Sequence, residues 1–170
     1  EPRGHADMYG AVLTEPCDES AHAGVLFMHN DGYSTMCGHG VIAICTIAIE
    51  RGLIGLAGDS TSMVLESPAG LVHARVTLRP PAAGSVGHDE DSMTTPRVEG
   101  VAFDNVPSFV FHAGLPIVVD DRTVPVDVAY GGAFYAVVDS EAVGVPLRRE
   151  AMPRLRRLGW DIARAVEAAI

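Results

Sequence analysis

The chain has 170 residues, of which 48% are hydrophobic and 20% charged, and its net charge is −10. That is enough apolar material for one domain with a core or for two small lobes, and too much for a disordered chain. All twelve cations are arginine, so no lysine is present to form a pyridoxal phosphate Schiff base, and the acidic balance offers no stripe for nucleic acid.

The charge is uneven. Residues 1–140 carry eighteen acids and six arginines, whereas residues 141–170 carry four acids and six arginines. The mildly basic tail reads as a solvated helix face rather than a docking patch. Three cysteines, Cys17, Cys37 and Cys45, are too few for a disulfide framework, and no CxxC pair announces a zinc ribbon. No apolar run is long enough to span a bilayer and no signal peptide is visible, which makes the cytosol the expected compartment. The first residue is Glu1, and Ile170 falls inside a helical pattern. The expectation is a piece of a longer protein.

In chain order, residues 10–15 and 24–29 read as short strands joined by an acidic loop. Residues 37–51 read as a helix. Residues 62–66 and 71–78 read as a hairpin turned at Pro68-Ala69-Gly70. A flexible loop is expected over 80–96, where Pro, Gly, Ser, Asp and His mix. Strand patterns return at 97–103, 108–112, 115–119, 123–129 and 133–139. A last helix starts near Pro153, with Leu155, Leu158, Ile162, Ala165, Val166 and Ala169 on one face. Leu155 and Ile162 are expected to lack part of their partner surface in the chain alone. Many strands and two helices make an α+β fold. The helix over 37–51 is apolar around its circumference at Val41, Ile42, Ala43, Ile44, Cys45, Ile47, Ala48 and Ile49. Such a helix is expected to be buried on all sides, inside a curved mixed sheet.

The start of that helix carries the chemistry. Residues 37–40 read Cys-Gly-His-Gly. A helix N-terminus exposes N–H groups without intrahelical partners, attracts anions and favours thiolate over thiol. Gly38 and Gly40 leave the backbone open to close approach. The amides there suit a carboxylate, with Cys37 as a base beside it. The bland alternative is that a free cysteine is simply a small hydrophobe. Cys45, eight residues on, fits that alternative, and Cys17 in its acidic loop reads as incidental. His39 as partner in a cysteine hydrolase is disfavoured, because residues two apart do not face each other on a helix. Metal binding by Cys37, His39, His5, His22 and His29 matches no ligand spacing. His73, His88 and His112 read as surface or strand residues.

Four segments together resemble the proline racemase superfamily. Tyr33-Ser34-Thr35-Met36-Cys37-Gly38-His39-Gly40 is similar to its first active-site motif. Residues 2–10 (PRGHADMYG), 105–110 (NVPSFV) and 127–135 (DVAYGGAFY) resemble further family segments, in the same order. The resemblance implies a cofactor-independent enzyme acting at the α-carbon of a proline derivative, a small imino acid, with no metal. It implies a fold like that of diaminopimelate epimerase, with two lobes that each wrap a sheet around a buried helix. Residues 1–139 would then be the first lobe without its first strands, and 140–170 the start of the crossover to a missing second lobe. Cys37 would remove the α-proton, and the amides of Gly38 and His39 would hold the carboxylate.

The family comprises racemases, 4-hydroxyproline epimerases and trans-3-hydroxyproline dehydratases. Gly32-Tyr33-Ser34-Thr35-Met36 before the cysteine, and Val41-Ile42-Ala43 after Gly40, look more like the dehydratases. The second active-site motif that separates these activities is absent from the chain, so epimerase and racemase stay open as alternatives, as does an inactive half-enzyme that only binds a carboxylate. The acidic balance leads to no expected nucleic-acid partner, the lack of a long apolar run to no expected membrane partner, and a homodimer is allowed.

Overall fold

The computed structural model describes residues 8–30, 32–55, 61–79 and 96–170. They fall into two compact units, divided between Val106 and Pro107. In the second unit a single core runs from Ile117 and Val128 to Val143, Val145 and Leu158. The loop expected over 80–96 lies, apart from Pro96, outside the described residues.

The first unit contains strands β1 (Tyr9–Thr14), β2 (Ala23–His29), β3 (Gly32–Ser34), β4 (Ser62–Ser67), β5 (Gly70–Leu78) and β6 (Val98–Asp104), and the helix α1 (Gly38–Glu50). The strands form one mixed sheet in the order β1-β2-β4-β5-β6, with β3 on β2. All pairings are antiparallel except the short parallel step from β2 to β4, where Ala23 meets Leu65 and Gly24 meets Glu66. His22 extends this step. Its N–H donates to the Val64 carbonyl at 2.8 Å, and its Nδ1 accepts from the Val64 N–H at 3.0 Å. The β4–β5 hairpin turns at the expected Pro68-Ala69-Gly70. Gly70 sits at φ +127°, where a side chain would be strained, and Ser67 Oγ donates to its carbonyl at 2.9 Å. Strict alternation then puts Met63, Leu65, Val72, Ala74 and Val76 on the inner face.

Helix α1 touches β1 and β6, the two ends of the strand order, as well as β5. A flat sheet cannot meet one helix with both edges, so the sheet curls around α1. The α+β class and the wrapped helix therefore match expectation, but complete enclosure does not. Val41, Ile44, Cys45, Ala48 and Ile49 are buried, whereas Ile42 is 41% and Ile47 54% exposed. Residues 41, 44, 45, 48 and 49 recur at helical spacing and define the one face that the sheet covers. All-round apolarity is a property of the sequence; coverage depends on where the strands lie. The helix ends at Gly52, in the left-handed region at φ +63°, and the Leu53 N–H returns to the Ala48 carbonyl at 2.8 Å.

The second unit is an antiparallel meander of β7 (Phe109–Val119), β8 (Arg122–Tyr130) and β9 (Phe134–Val137), followed by a short 3-10 turn and α2 (Met152–Ala169). Two separate strands were expected over 108–119, but one is found. Its register shifts between His112 and Leu115, where Gly114 takes φ +63° and its N–H donates to Asp127 Oδ1 at 2.7 Å. Glycine thus marks an irregularity within a strand rather than its end. Asp120 and Asp121, both at positive φ, make a two-residue hairpin turn that matches the twist of β7 and β8. Leu158, Ile162 and Val166 of α2 are buried against Ile117, Val119, Val124, Val126 and Val128, with Leu155 and Ala165 packed at the margin. Ile162, 3% exposed, therefore has its full partner surface, contrary to expectation.

The half-covered helix predicts a contrast. Ile44→Ala should cost about 2–5 kcal/mol, as for other buried isoleucines, while Ile47→Ala should stay within about 0.5 kcal/mol. Urea denaturation of the two variants measures it, and equal losses would mean that α1 is enclosed all round.

Candidate active site

Cys37 is the N-cap of α1. Its backbone is extended (φ −147°, ψ 111°), and its carbonyl accepts the first helical hydrogen bond, from the Val41 N–H at 2.9 Å. Its Sγ accepts from the Gly40 N–H at 3.3 Å. Sulfur here does the work of the serine or aspartate oxygen that usually caps a helix. One N–H of the first turn is thereby satisfied and directed at the thiol. The N–H groups of Gly38 and His39 have no acceptor among the described residues. They are the pair of donors that the sequence singled out, and they lie directly beside the half-buried Cys37.

The segment leading into the cap is tied down. Residues of β3 pair with the end of β2, Ser34 with Phe27 and Tyr33 with Met28. Ser34 Oγ donates to the Met36 carbonyl at 2.9 Å, and the Ala69 N–H donates to the Thr35 carbonyl at 3.3 Å. The three residues of β3 were missing from the sequence-based expectation, since so short a run carries no period.

The two glycines have a structural reason that the sequence does not display. A Cβ on Gly38 would lie 3.1 Å from Cζ of Phe103 in β6, and one on Gly40 would lie 2.5 Å from Cε1 of Phe27 in β2. The first turn of α1 is thus seated between two phenylalanine rings. Close approach was expected from a ligand; on the Cβ side it comes from the protein. Only the alternation that buries Val25 and Phe27 in β2 hinted at Phe27, and nothing local connected it to Gly40.

The remaining sequence candidates separate cleanly. His39 is exposed. Cys45 is fully buried, and burial pushes its thiol up from 9.0 to about 11. Cys17 is exposed in a loop anchored by Glu66, whose Oε2 accepts from the N–H groups of Cys17 and Asp18. No group of three or more metal-ligating side chains occurs among the described residues, which exclude His5. The downstream segments that resemble the family meet through Phe109, Tyr130 and Phe134 of the second unit. There Phe109 stacks on Tyr130 at 5.3 Å between ring centroids, and Phe134 lies 5.0 Å from Tyr130.

The three thiols should be told apart by a labelling reagent at neutral pH. Cys17 and Cys37 should react in the native chain, and Cys45 only after denaturation, with mass spectrometry locating each adduct. Cys45 should also set an alkaline limit on stability. The unfolded thiol ionises near 9.0 and the folded one near 11, so stability is complete below pH 9 and about 2–3 kcal/mol is lost as pH rises to 11. The loss should be absent from Cys45→Ala when denaturation midpoints are followed across that range.

The whole chain, residues 1–170, matches the family described as proline racemase. It is 43% identical over 168 residues to a trans-3-hydroxy-L-proline dehydratase of Bacillus thuringiensis subsp. konkukian, covering 99% of this chain and 46% of that protein. It is 41% identical over 169 residues to a 3-hydroxyproline 2-epimerase of Burkholderia multivorans, with the same coverage of each. Among solved structures, a hydroxyproline epimerase from Agrobacterium vitis with bound trans-4-hydroxy-L-proline superimposes with a TM-score of 0.73 at 28% identity, over 89% of this chain and 40% of that one. The chain thus spans about half the length of the curated relatives it matches. With the motif at 33–40 built as a cysteine-capped helix start inside a curled sheet, and a match along its entire length, the chain belongs to the proline racemase family.

Proposed function

We propose that the protein of which this chain forms part dehydrates trans-3-hydroxy-L-proline without a cofactor, with Cys37 as the base. The observation that carries the reading is the pair of uncommitted N–H groups on Gly38 and His39 next to a capped thiol. A substrate carboxylate held by those amides has its charge offset by the helix N-terminus. The α-carbon then loses its proton more readily, because negative charge that develops there meets a carboxylate already neutralised. Cys37 takes the α-proton from C2. The electron pair left behind forms C2=C3 as the C3–O bond breaks, the hydroxyl departs with a proton as water, and the enamine tautomerises to a cyclic imine acid. Relatives named as trans-3-hydroxy-L-proline dehydratases support this choice of leaving group.

A second reading, 2-epimerisation, is favoured by the relative named 3-hydroxyproline 2-epimerase. It shares the base and the carboxylate site but returns a proton to the opposite face of C2. Proline racemisation and a half-enzyme that binds a carboxylate without turning it over stand further off. The reading also includes a cytosolic location and allows a homodimer, for which sedimentation of the purified protein is the measurement.

In the whole protein, Cys37→Ser should lower exchange of the α-proton with solvent deuterium by roughly 10²–10⁴-fold. Pyrrole-2-carboxylate, a flat mimic of the deprotonated substrate, should still bind that variant, since the amides of Gly38 and His39 remain. With the wild type, trans-3-hydroxy-L-proline should yield the cyclic imine acid. Rapid inversion of 4-hydroxyproline with the 3-hydroxy substrate untouched would favour the epimerase reading, and wild-type exchange in Cys37→Ser would remove Cys37 as base. Residues 1–170 alone should show no appreciable turnover, because closing out water needs an opposing lobe.

A further inference from the structure

We infer that Gly40 is a positioning residue for the Cys37 sulfur, and that the ring of Phe27 is what bars a side chain at position 40. The role attributed to the sulfur rests on the reading above; the geometry that positions it does not.

Glycine is a poor choice for the first turn of a helix, about 1 kcal/mol worse than alanine when nothing else decides. Here something else does. The place of a Cβ on residue 40 is already taken by Phe27, with Cε1 at 2.5 Å and Cδ1 at 2.8 Å, and Cys37 Cβ closes the other side at 3.4 Å. Phe27 cannot give way easily. It is fully buried, and its strand is paired on both edges, with Ala11 of β1 and Ser34 of β3 opposite the same residue. Any side chain at position 40 must therefore push the first turn of α1 away from β2. Cys37 is held back because it follows β3, which is paired to β2, so displacing residue 40 moves its N–H relative to Sγ and lengthens the hydrogen bond from its 3.3 Å.

The bond matters most when the sulfur is charged. An N–H donor aimed at an anionic acceptor is roughly twice as strong as a neutral pair, so losing this donor is felt most in a reaction that runs through charged sulfur. The bond also keeps Sγ on the side of the helix start where the Gly38 and His39 amides remain open. One glycine thus orients the thiol and leaves the Gly38 and His39 amides open.

The test uses the rate of Cys37 alkylation by iodoacetamide across pH, in the full chain carrying Cys17→Ser so that Cys37 is the one accessible thiol. Gly40→Ala should slow alkylation at neutral pH by roughly tenfold, the size expected for losing a hydrogen bond to a charged group, and should move the midpoint of the profile to higher pH. Phe27→Leu should leave the profile near wild type, and Phe27→Leu with Gly40→Ala should recover most of the lost rate by making room for the methyl group. In the unsubstituted chain, the Gly40 amide proton resonance should shift along the same pH profile and stay flat in Cys37→Ala. A wild-type profile in Gly40→Ala, an insensitive Gly40 resonance, or a defect that the smaller residue 27 does not relieve would overturn the inference. Because the readout is alkylation, it is independent of turnover. A chain that behaves as expected here yet belongs to a protein inert toward proline derivatives would sink the catalytic reading and leave this one standing.

Discussion

The hydrogen bond from the Gly40 N–H to Cys37 Sγ is the contact on which the site depends. It turns the cysteine into a helix cap, and so places the thiol where the helix begins. The geometry also rations the donors of the first turn. One N–H goes to sulfur, and those of Gly38 and His39 have no acceptor among the described residues. A serine or aspartate cap would hold the helix equally well but would place no thiol there.

Everything around the first turn of α1 serves to keep it there. Phe27 and Phe103 lie against the two glycines from β2 and β6. β3 leads the chain back along β2, and Ser34 and Ala69 fix the carbonyls of Met36 and Thr35. The buried face of α1 is held by the curled sheet, with Cys45 deep in it. Position alone separates the two thiols of this segment. Cys45 is surrounded by hydrocarbon, which disfavours charge, while Cys37 faces a backbone donor and partial exposure.

The second unit is built on a simpler principle. Buried apolar residues alternate at Ile117 and Val119 of β7 and at Val124, Val126 and Val128 of β8, and a single amphipathic helix packs on that face. Gly114 and the Asp120-Asp121 turn share the positive-φ region with Gly132 and Gly144. They let one long strand shift register and then reverse in two residues. Periodicity registered the alternation and the helix face correctly. It divided β7 in two, because a glycine in a strand looks like an ending until its partner strand shows that pairing resumes.

The sequence by itself determined the α+β class, the hairpin at Pro68-Ala69-Gly70, both helices, the cysteine at the start of the first, and the buried role of Cys45. These are local matters: period, turn residues and the position of a polar or sulfur-bearing side chain at a helix end. Family membership was also legible, since it resides in short motifs. Three things were decided only in the tertiary structure. Half of an all-apolar helix stays uncovered at Ile42 and Ile47, because coverage depends on where strands run rather than on the helix's own composition. The unit boundary falls at 106/107, because a core shared by distant segments, not the pattern of any one of them, makes a compact unit. And Gly38 and Gly40 are required by rings 65 and 13 residues away in sequence, contacts that exist only once the sheet has curled around the helix and brought β2 and β6 to its first turn.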